Sequence, residues 1–98
     1  MAQIRWTPQA ADDLESITDY IGLDSPHYAS FFAMNVISAA ERLATHPRLG
    51  RAVPECSDTT IRELLLGNYR LIYRVREETV EILSVYHGSR IFDPQKLK

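Results

Sequence analysis

The sequence predicts an α+β domain in which a short N-terminal strand and an antiparallel helical hairpin pack on a mainly antiparallel sheet, in the order β-α-α-β-β-β. Two apolar stripes with helical spacing fill the first half of the chain. Three strand-like segments joined by hairpin-length links fill the second half. A chain of 98 residues has room for one hydrophobic core. We therefore expect a single domain over residues 1–98.

The first helix has a clear start and a clear end. Polar and apolar residues alternate over residues 3–6, which predicts a short strand. Thr7 and Pro8 then supply an N-cap and a proline suited to the first helical turn. Gly22 is expected to end the helix. The apolar stripe of this helix consists of Ala10, Leu14, Ile17 and Ile21.

The second helix begins with the same type of signal, because Ser25 and Pro26 repeat the cap and the proline. It is expected to stop before Pro47. Two helices joined by so short a link pack antiparallel as a hairpin. A loop over residues 48–59 follows. The apolar face of the second helix consists of Ala29, Phe32, Val36, Ala40 and Leu43.

The second half of the chain predicts strands over residues 61–66, 69–76 and 79–87. The link at residues 67–68 allows a two-residue or a three-residue loop, and these alternatives place Arg62 on opposite faces of the sheet. Residues 90–98 form a tail, with a short turn or frayed chain as alternatives.

A two-residue turn at Glu77 and Glu78 predicts the register of the last hairpin. One face, which we expect to cover the helices, then presents Tyr69, Leu71, Tyr73 and Val75 opposite Tyr86, Ser84, Ile82 and Val80. On the opposite face, the predicted pairs are Arg74 with Glu81, Ile72 with Leu83, and Arg70 with Val85.

The outer face of that hairpin carries an apolar strip with a border of arginines. Such a strip on a small monomer is typical of a partner-binding surface. The alternative is an ordinary half-solvated sheet face with scattered aliphatic residues. A partner segment with hydrophobic and acidic residues would match the strip and its border. The predicted partner contacts are Arg70, Ile72, Arg74, Arg76, Leu83 and Val85.

Charge and composition exclude several classes of function. The net charge is −2, with −4 on residues 1–47 and +2 on residues 48–98, whereas nucleic-acid-binding domains usually have a strongly basic face. Direct nucleic-acid binding is therefore not expected unless the chain is a ribonuclease. No apolar run has the length of a membrane span. The single Cys56 and the lack of a secretory signal indicate the cytoplasm. We expect no metal and no cofactor, because no Cys/His cluster has ligand spacing.

Several segments in a fixed order carry a family resemblance. The segments are Trp-Thr-Pro-Gln-Ala at 6–10, Asp-Leu-Glu-Ser-Ile at 13–17, His-Pro-Arg-Leu-Gly-Arg at 46–51, Tyr-Arg-Leu-Ile-Tyr-Arg-Val at 69–75 and Val-Tyr-His at 85–87. With this set the chain resembles the RelE/ParE toxin superfamily, and it is closer to the ParE-type branch. The resemblance covers nearly the whole chain.

The resemblance implies the toxin of a type II toxin–antitoxin module, neutralised by an antitoxin whose C-terminal segment wraps around it. ParE-type members poison DNA gyrase by binding, and RelE-type members cleave mRNA on the ribosome. A third alternative is a remnant that binds its antitoxin and has lost toxicity.

The resemblance also implies the residues that a ribonuclease would use. Arg70 matches an arginine of the Tyr-Arg-Leu segment, and Arg90 matches a later arginine. His87 stands where some ribonuclease members have a catalytic histidine, and the predicted register makes it a diagonal neighbour of Arg70 on the same face. However, no lysine precedes Lys96 and no tyrosine follows Tyr86. The sequence therefore favours gyrase binding over RNA cleavage.

Overall fold

The computed structural model describes residues 1–89, and its elements follow the predicted order. Strand β1 (Gln3–Trp6) leads into helices α1 (Pro8–Gly22) and α2 (Pro26–Arg42). A two-residue strand, β2 (Arg51–Ala52), lies within the predicted loop, followed by β3 (Ile61–Leu66), β4 (Tyr69–Val75) and β5 (Thr79–His87). The predicted α+β class is confirmed. The expectation for the tail at 90–98 lies outside the described residues.

The five strands form one sheet in the order β1-β5-β4-β3-β2. Strand β1 runs parallel to β5, and the other neighbours are antiparallel. The parallel pair arises because the helical hairpin carries the chain across one face of the sheet between β1 and β3. Neither helix within residues 1–89 has the length and hydropathy that a membrane crossing requires.

Both helices begin at the predicted caps. The Thr7 hydroxyl accepts the Ala10 N–H at 3.2 Å, and the Ser25 hydroxyl accepts the Tyr28 N–H at 3.1 Å. Helix α1 ends at Gly22 as predicted, but not through a left-handed glycine, because Gly67 is the only described residue with positive φ. A Cβ on Gly22 would lie 3.7 Å from that of Ala29, so this position lies where the helices approach each other.

The main core lies between the helical hairpin and the inner face of the sheet. Tyr69, Leu71, Tyr73 and Val75 face the helices, as predicted. The first hairpin has the two-residue loop, because Leu66 pairs with Tyr69 and Gly67 adopts a φ of 61°. This register resolves the open alternative and places Arg62 opposite Tyr73.

The predicted register of the last hairpin is correct for three pairs and wrong beyond them. Val75–Val80, Arg74–Glu81 and Tyr73–Ile82 pair as predicted. A β-bulge then inserts one residue into β5, so the remaining pairs shift by one. The predicted pairs Ile72–Leu83 and Arg70–Val85 are replaced by Ile72–Ser84, Leu71–Val85 and Arg70–Tyr86.

The predicted exposed apolar strip is wrong, since Ile72, Leu83 and Val85 are all buried. The bulge turns Val85 toward the helices, where it joins the main core. Ile72 and Leu83 do lie on the outer face, but they pack with Val53 and Ile61 in a second cluster. The chain after β2 therefore folds back over the outer face and covers it.

Candidate functional site

The Arg70 side chain lies at the centre of a charge network on the outer face of the sheet. Its Nη1 and Nη2 donate to the two carboxylate oxygens of Glu55, at 2.8 and 2.9 Å. Its Nε donates to Oε1 of Glu63 at 2.6 Å. The guanidinium carbon lies 5.3 Å from the centre of the Tyr86 ring. The hydrogen bonds to Glu55, followed by those to Glu63, raise the pKa of Arg70 against the effect of burial.

Glu63 is the buried counterpart of this arginine, and its side chain has no exposed surface. Its second carboxylate oxygen accepts a hydrogen bond from Nε of Arg51 at 2.7 Å. Two carboxylates, Glu55 and Glu63, therefore balance two guanidiniums, Arg70 and Arg51. A buried charge is tolerated only with such pairing and hydrogen bonding. The network fixes the segment after β2 to strands β3 and β4.

The surroundings of Gly50 explain why a glycine occupies this position of the His-Pro-Arg-Leu-Gly-Arg segment. Its N–H donates to the Tyr73 hydroxyl at 2.8 Å, and its carbonyl accepts Nη1 of Arg62 at 2.9 Å. A Cβ at this position would clash with the Glu63 carbonyl oxygen and would lie 2.6 Å from the Tyr73 hydroxyl. Burial raises the pKa of Tyr73, against the opposing effect of the hydrogen bond from Gly50. Only glycine fits between β3 and Tyr73.

The ribonuclease alternative needs Arg70 and His87 together, and both border a depression of about 520 Å³, but they approach it from different faces of the sheet. His87 pairs with Tyr69, whereas Arg70 pairs with Tyr86, so the two side chains lie on opposite faces of the sheet. The predicted diagonal contact of His87 with Arg70 is therefore wrong, and the bulge is the cause. Arg90 lies outside the described residues.

His87 lies instead in a cleft between α1 and the end of β5. Its ring packs edge-on against Tyr69, with centroids 5.2 Å apart. Nδ1 lies 3.2 Å from the Ser89 nitrogen and 2.6 Å from the Ser89 hydroxyl oxygen. The cleft has a volume of about 710 Å³, and Asp13 and Tyr20 also line it.

The remaining predicted contacts, Arg74 and Arg76, lie toward the turn between β4 and β5. Nε of Arg76 donates to Glu81 at 2.8 Å, and Arg5 binds the other oxygen of that carboxylate at 2.9 Å. Arg74 lies 3.9 Å from an oxygen of Asp58. Arg76 is largely exposed, so it can contact a partner.

The helical hairpin has an exposed apolar surface that the apolar stripes did not predict. Several large apolar residues of α1, of α2 and of the link between them are exposed to solvent. The signal was available, because these positions fall off the buried stripe of each helix and yet are not polar. They are Tyr20, Leu23, Tyr28, Phe31, Met34 and Ile37.

Comparisons with known proteins agree over nearly the whole chain. The family described as "ParE toxin of type II toxin-antitoxin system, parDE" matches residues 4–92. A curated relative, toxin RelE2 of Caulobacter vibrioides, is 38% identical over 92 residues, which cover 93% of this chain and 100% of that protein.

Two solved structures share the fold. A chain of the chromosomal ParDE system from P. aeruginosa has a TM-score of 0.72 and 25% identity, with 89% of this chain and 96% of that chain covered. A chain of the toxin–antitoxin complex RelBE2 from Mycobacterium tuberculosis has a TM-score of 0.62 and 27% identity, with 88% and 96% covered.

Proposed function

Since the chain belongs to the ParE toxin family of type II toxin–antitoxin systems, we propose that it acts by binding DNA gyrase and not by cleaving RNA. It is a toxin of such a system, and an antitoxin is its partner. The choice of target is the proposal.

The main support for this proposal is the burial and the ion pairing of the Arg70 side chain. A ribonuclease needs a cation at the phosphate and a base within reach of the 2′-hydroxyl. The Arg70 guanidinium is buried and already binds the carboxylates of Glu55 and Glu63. To bind a phosphate, Arg70 would have to release both carboxylates. The buried Glu63 carboxylate would then keep only its hydrogen bond from Arg51, which is energetically costly. We therefore assign Arg70 a structural role.

The distribution of cationic groups supports the same conclusion. Both lysines of the chain are at positions 96 and 98, so the strands that the structure describes contain none. His87 lies across the sheet from Arg70. Both residues border one depression near Gly67 and Gly88, but the Arg70 guanidinium there is already paired with the carboxylates of Glu55 and Glu63.

An mRNA endoribonuclease is the second candidate, and His87 is the observation that favours it. A histidine in a cleft with Asp13 and three tyrosines has the groups that proton transfer needs. A relative of this chain also bears the name toxin RelE2. This candidate would have to use a cation other than Arg70.

Arg74 and Arg76 remain proposed contacts with the antitoxin, because the Arg76 side chain is largely exposed and the Arg74 side chain is partly exposed. Ile72, Leu83 and Val85 do not, because they are part of the two cores. We further propose that the toxin works in the cytoplasm as a single domain over residues 1–98, consistent with its one cysteine.

The experiment combines a purified-component assay with transcript mapping. Toxin separated from its antitoxin should inhibit supercoiling by purified gyrase, and added antitoxin should restore it. Transcripts mapped after induction should remain intact at early times. Cut transcripts with unaffected gyrase would establish the second candidate. Neither effect, together with retained antitoxin binding, would identify a non-toxic remnant.

A further inference from the structure

Helix α2 presents a row of large apolar side chains to solvent. These four residues, which we call the α2 ridge, are Tyr28, Phe31, Met34 and Ile37. Their exposed fractions range from 43% for Ile37 to 67% for Met34. Contiguous apolar surface of this kind on a small protein marks a site of association.

The spacing of the α2 ridge indicates what binds it. Its members are three residues apart, which forms a continuous ridge on a helix, and the rings of Tyr28 and Phe31 lie 6.4 Å apart. A ridge of this type packs into the groove of a second helix that runs nearly parallel or antiparallel to it. No Asp, Glu, Lys or Arg occurs from Pro26 to Ala40, so an apolar partner on the ridge buries no side chain of these four types along that stretch.

A shallow groove continues the surface from Ile37 toward α1. Its floor is formed by small and apolar residues, including Ala11, Leu14 and Ala33, and its volume is about 460 Å³. Glu15 and Asp19 line the α1 side of this groove. An apolar side chain from a helix on the α2 ridge can enter the groove and bring its neighbours close to these carboxylates.

The α1 side of this surface is acidic. Asp12, Glu15 and Asp19 lie on the exposed side of the helix, and none of them forms an ion pair within residues 1–89. No lysine or arginine occurs between Arg5 and Arg42. Within residues 1–89 the row has no cationic partner, so it can pair with lysine or arginine side chains of a bound molecule.

We propose that the α2 ridge and the acidic row of α1 together bind one amphipathic helix of the antitoxin. The helix places large apolar side chains on the ridge and in the groove, and it directs lysine or arginine side chains toward Asp12, Glu15 and Asp19. This proposal rests on the toxin–antitoxin assignment and adds the surface and the chemistry of the partner segment. A second copy of this chain fits less well, because it would bring a second acidic row to the same interface.

The test uses exposed positions, where substitutions leave the fold intact. Phe31→Asp and Met34→Asp place a charge on the ridge, and Leu65→Asp is the matched control. Leu65 on β3 is as exposed as Phe31, at 54% for each, but lies on the sheet. The probe is the purified antitoxin encoded beside the toxin gene. We expect each ridge variant to raise the Kd about tenfold or more, as burial of an unpaired charge requires, and the control to remain near the native value.

A charge-reversal variant tests the acidic row separately. Glu15→Lys combined with Asp19→Lys should weaken the complex at low salt, and the difference should shrink in about 1 M salt, where the Debye length is roughly 3 Å. Circular dichroism confirms that each variant is folded.

Unchanged Kd values for the ridge variants would overturn the proposal. A native dimer that the ridge variants convert to monomers, with antitoxin affinity retained, would also overturn it and assign the ridge to a second copy. Both outcomes concern this surface alone, whereas gyrase inhibition by the unmodified toxin tests the proposed function.

Discussion

Asp13 of α1 accepts the backbone N–H of Val85 at 3.1 Å and, through the same oxygen, the hydroxyl of Ser84 at 2.8 Å. These contacts lie beside the β-bulge of β5 and beyond the end of β1, where no described strand pairs with that edge of β5. A helix side chain thus replaces a missing strand neighbour.

We expect Asp13→Ala to destabilise the protein by about 1–3 kcal/mol, because it leaves the Val85 N–H without its acceptor. Asp13→Asn keeps an acceptor oxygen and should cost less. Asp12→Ala, at the exposed neighbouring position, is the control and should change stability by less than about 0.5 kcal/mol. Urea unfolding of the three variants measures this, and equal midpoints for Asp13→Ala and Asp12→Ala would contradict the role of Asp13.

Much of the fold was predictable because local signals agree with tertiary packing. The two Ser/Thr-Pro starts, the apolar stripes and the hairpin link at Gly67 each encode a local geometry that the fold keeps. The bulge was not predictable from alternation, because a period of two carries no sign of an inserted residue. Asp13 of α1 accepts hydrogen bonds from β5 beside the bulge, and this contact joins residues far apart in the sequence.

The candidate site was less accessible to sequence reasoning, since one shifted residue changes which side chains share a face. His87 and Val85 moved to the helix side, and Tyr86 moved to the outer side beside Arg70. Ile72 is buried in part by a loop whose apolar residues follow neither helical nor strand spacing, so the sequence pattern did not predict this packing. Long-range ion pairs such as Glu55–Arg70 cannot be read from composition.

We predict that removing one charge of the Arg70–Glu63 pair destabilises the protein more than removing both charges together. Arg70→Met leaves the Glu63 carboxylate buried with only Arg51 and should cost about 3–5 kcal/mol. Combining Arg70→Met with Glu63→Leu removes both charges and should recover much of that loss. A double-mutant cycle by denaturant unfolding measures the coupling, and additive losses would contradict the network.

We expect Gly50→Ala to destabilise the protein by about 1–3 kcal/mol, because the new methyl group meets the Glu63 carbonyl and the Tyr73 hydroxyl. Gly22→Ala is the matched control. Its Cβ would meet Ala29 at an ordinary 3.7 Å, and alanine favours the helix, so stability should stay equal or rise by up to about 1 kcal/mol. Thermal melting compares the two variants. If both lose stability to a similar extent, the close contacts at Gly50 are not the reason for the loss.

Glu81 should make stability depend on pH in the acid range. The hydrogen bond from Arg76 and the nearby charges of Arg5 and Arg74 lower its pKa below the ordinary 4.5. A carboxylate whose pKa is lower in the folded state stabilises the fold above its unfolded pKa, and this contribution is lost as the pH falls through the folded pKa. Glu81→Gln should therefore lower the free energy of unfolding at neutral pH. The difference in this free energy between the variant and the native protein should become smaller as the pH falls below about 4.5. A difference that stays constant with pH would contradict the assignment.

We expect His87→Ala to remain toxic, because the proposed action is binding and His87 packs on Tyr69 without contacting Arg70. Growth after induction without antitoxin should match that of the unmodified toxin, and purified gyrase should be inhibited at similar concentrations. His46→Ala, at an exposed histidine outside the cleft, controls for expression. The ribonuclease alternative requires the opposite result, since removal of a general base costs roughly 10²–10⁴ in rate. Loss of toxicity in His87→Ala, with folding and antitoxin binding intact, would therefore contradict the binding proposal. It would assign RNA cleavage to the cleft between α1 and β5.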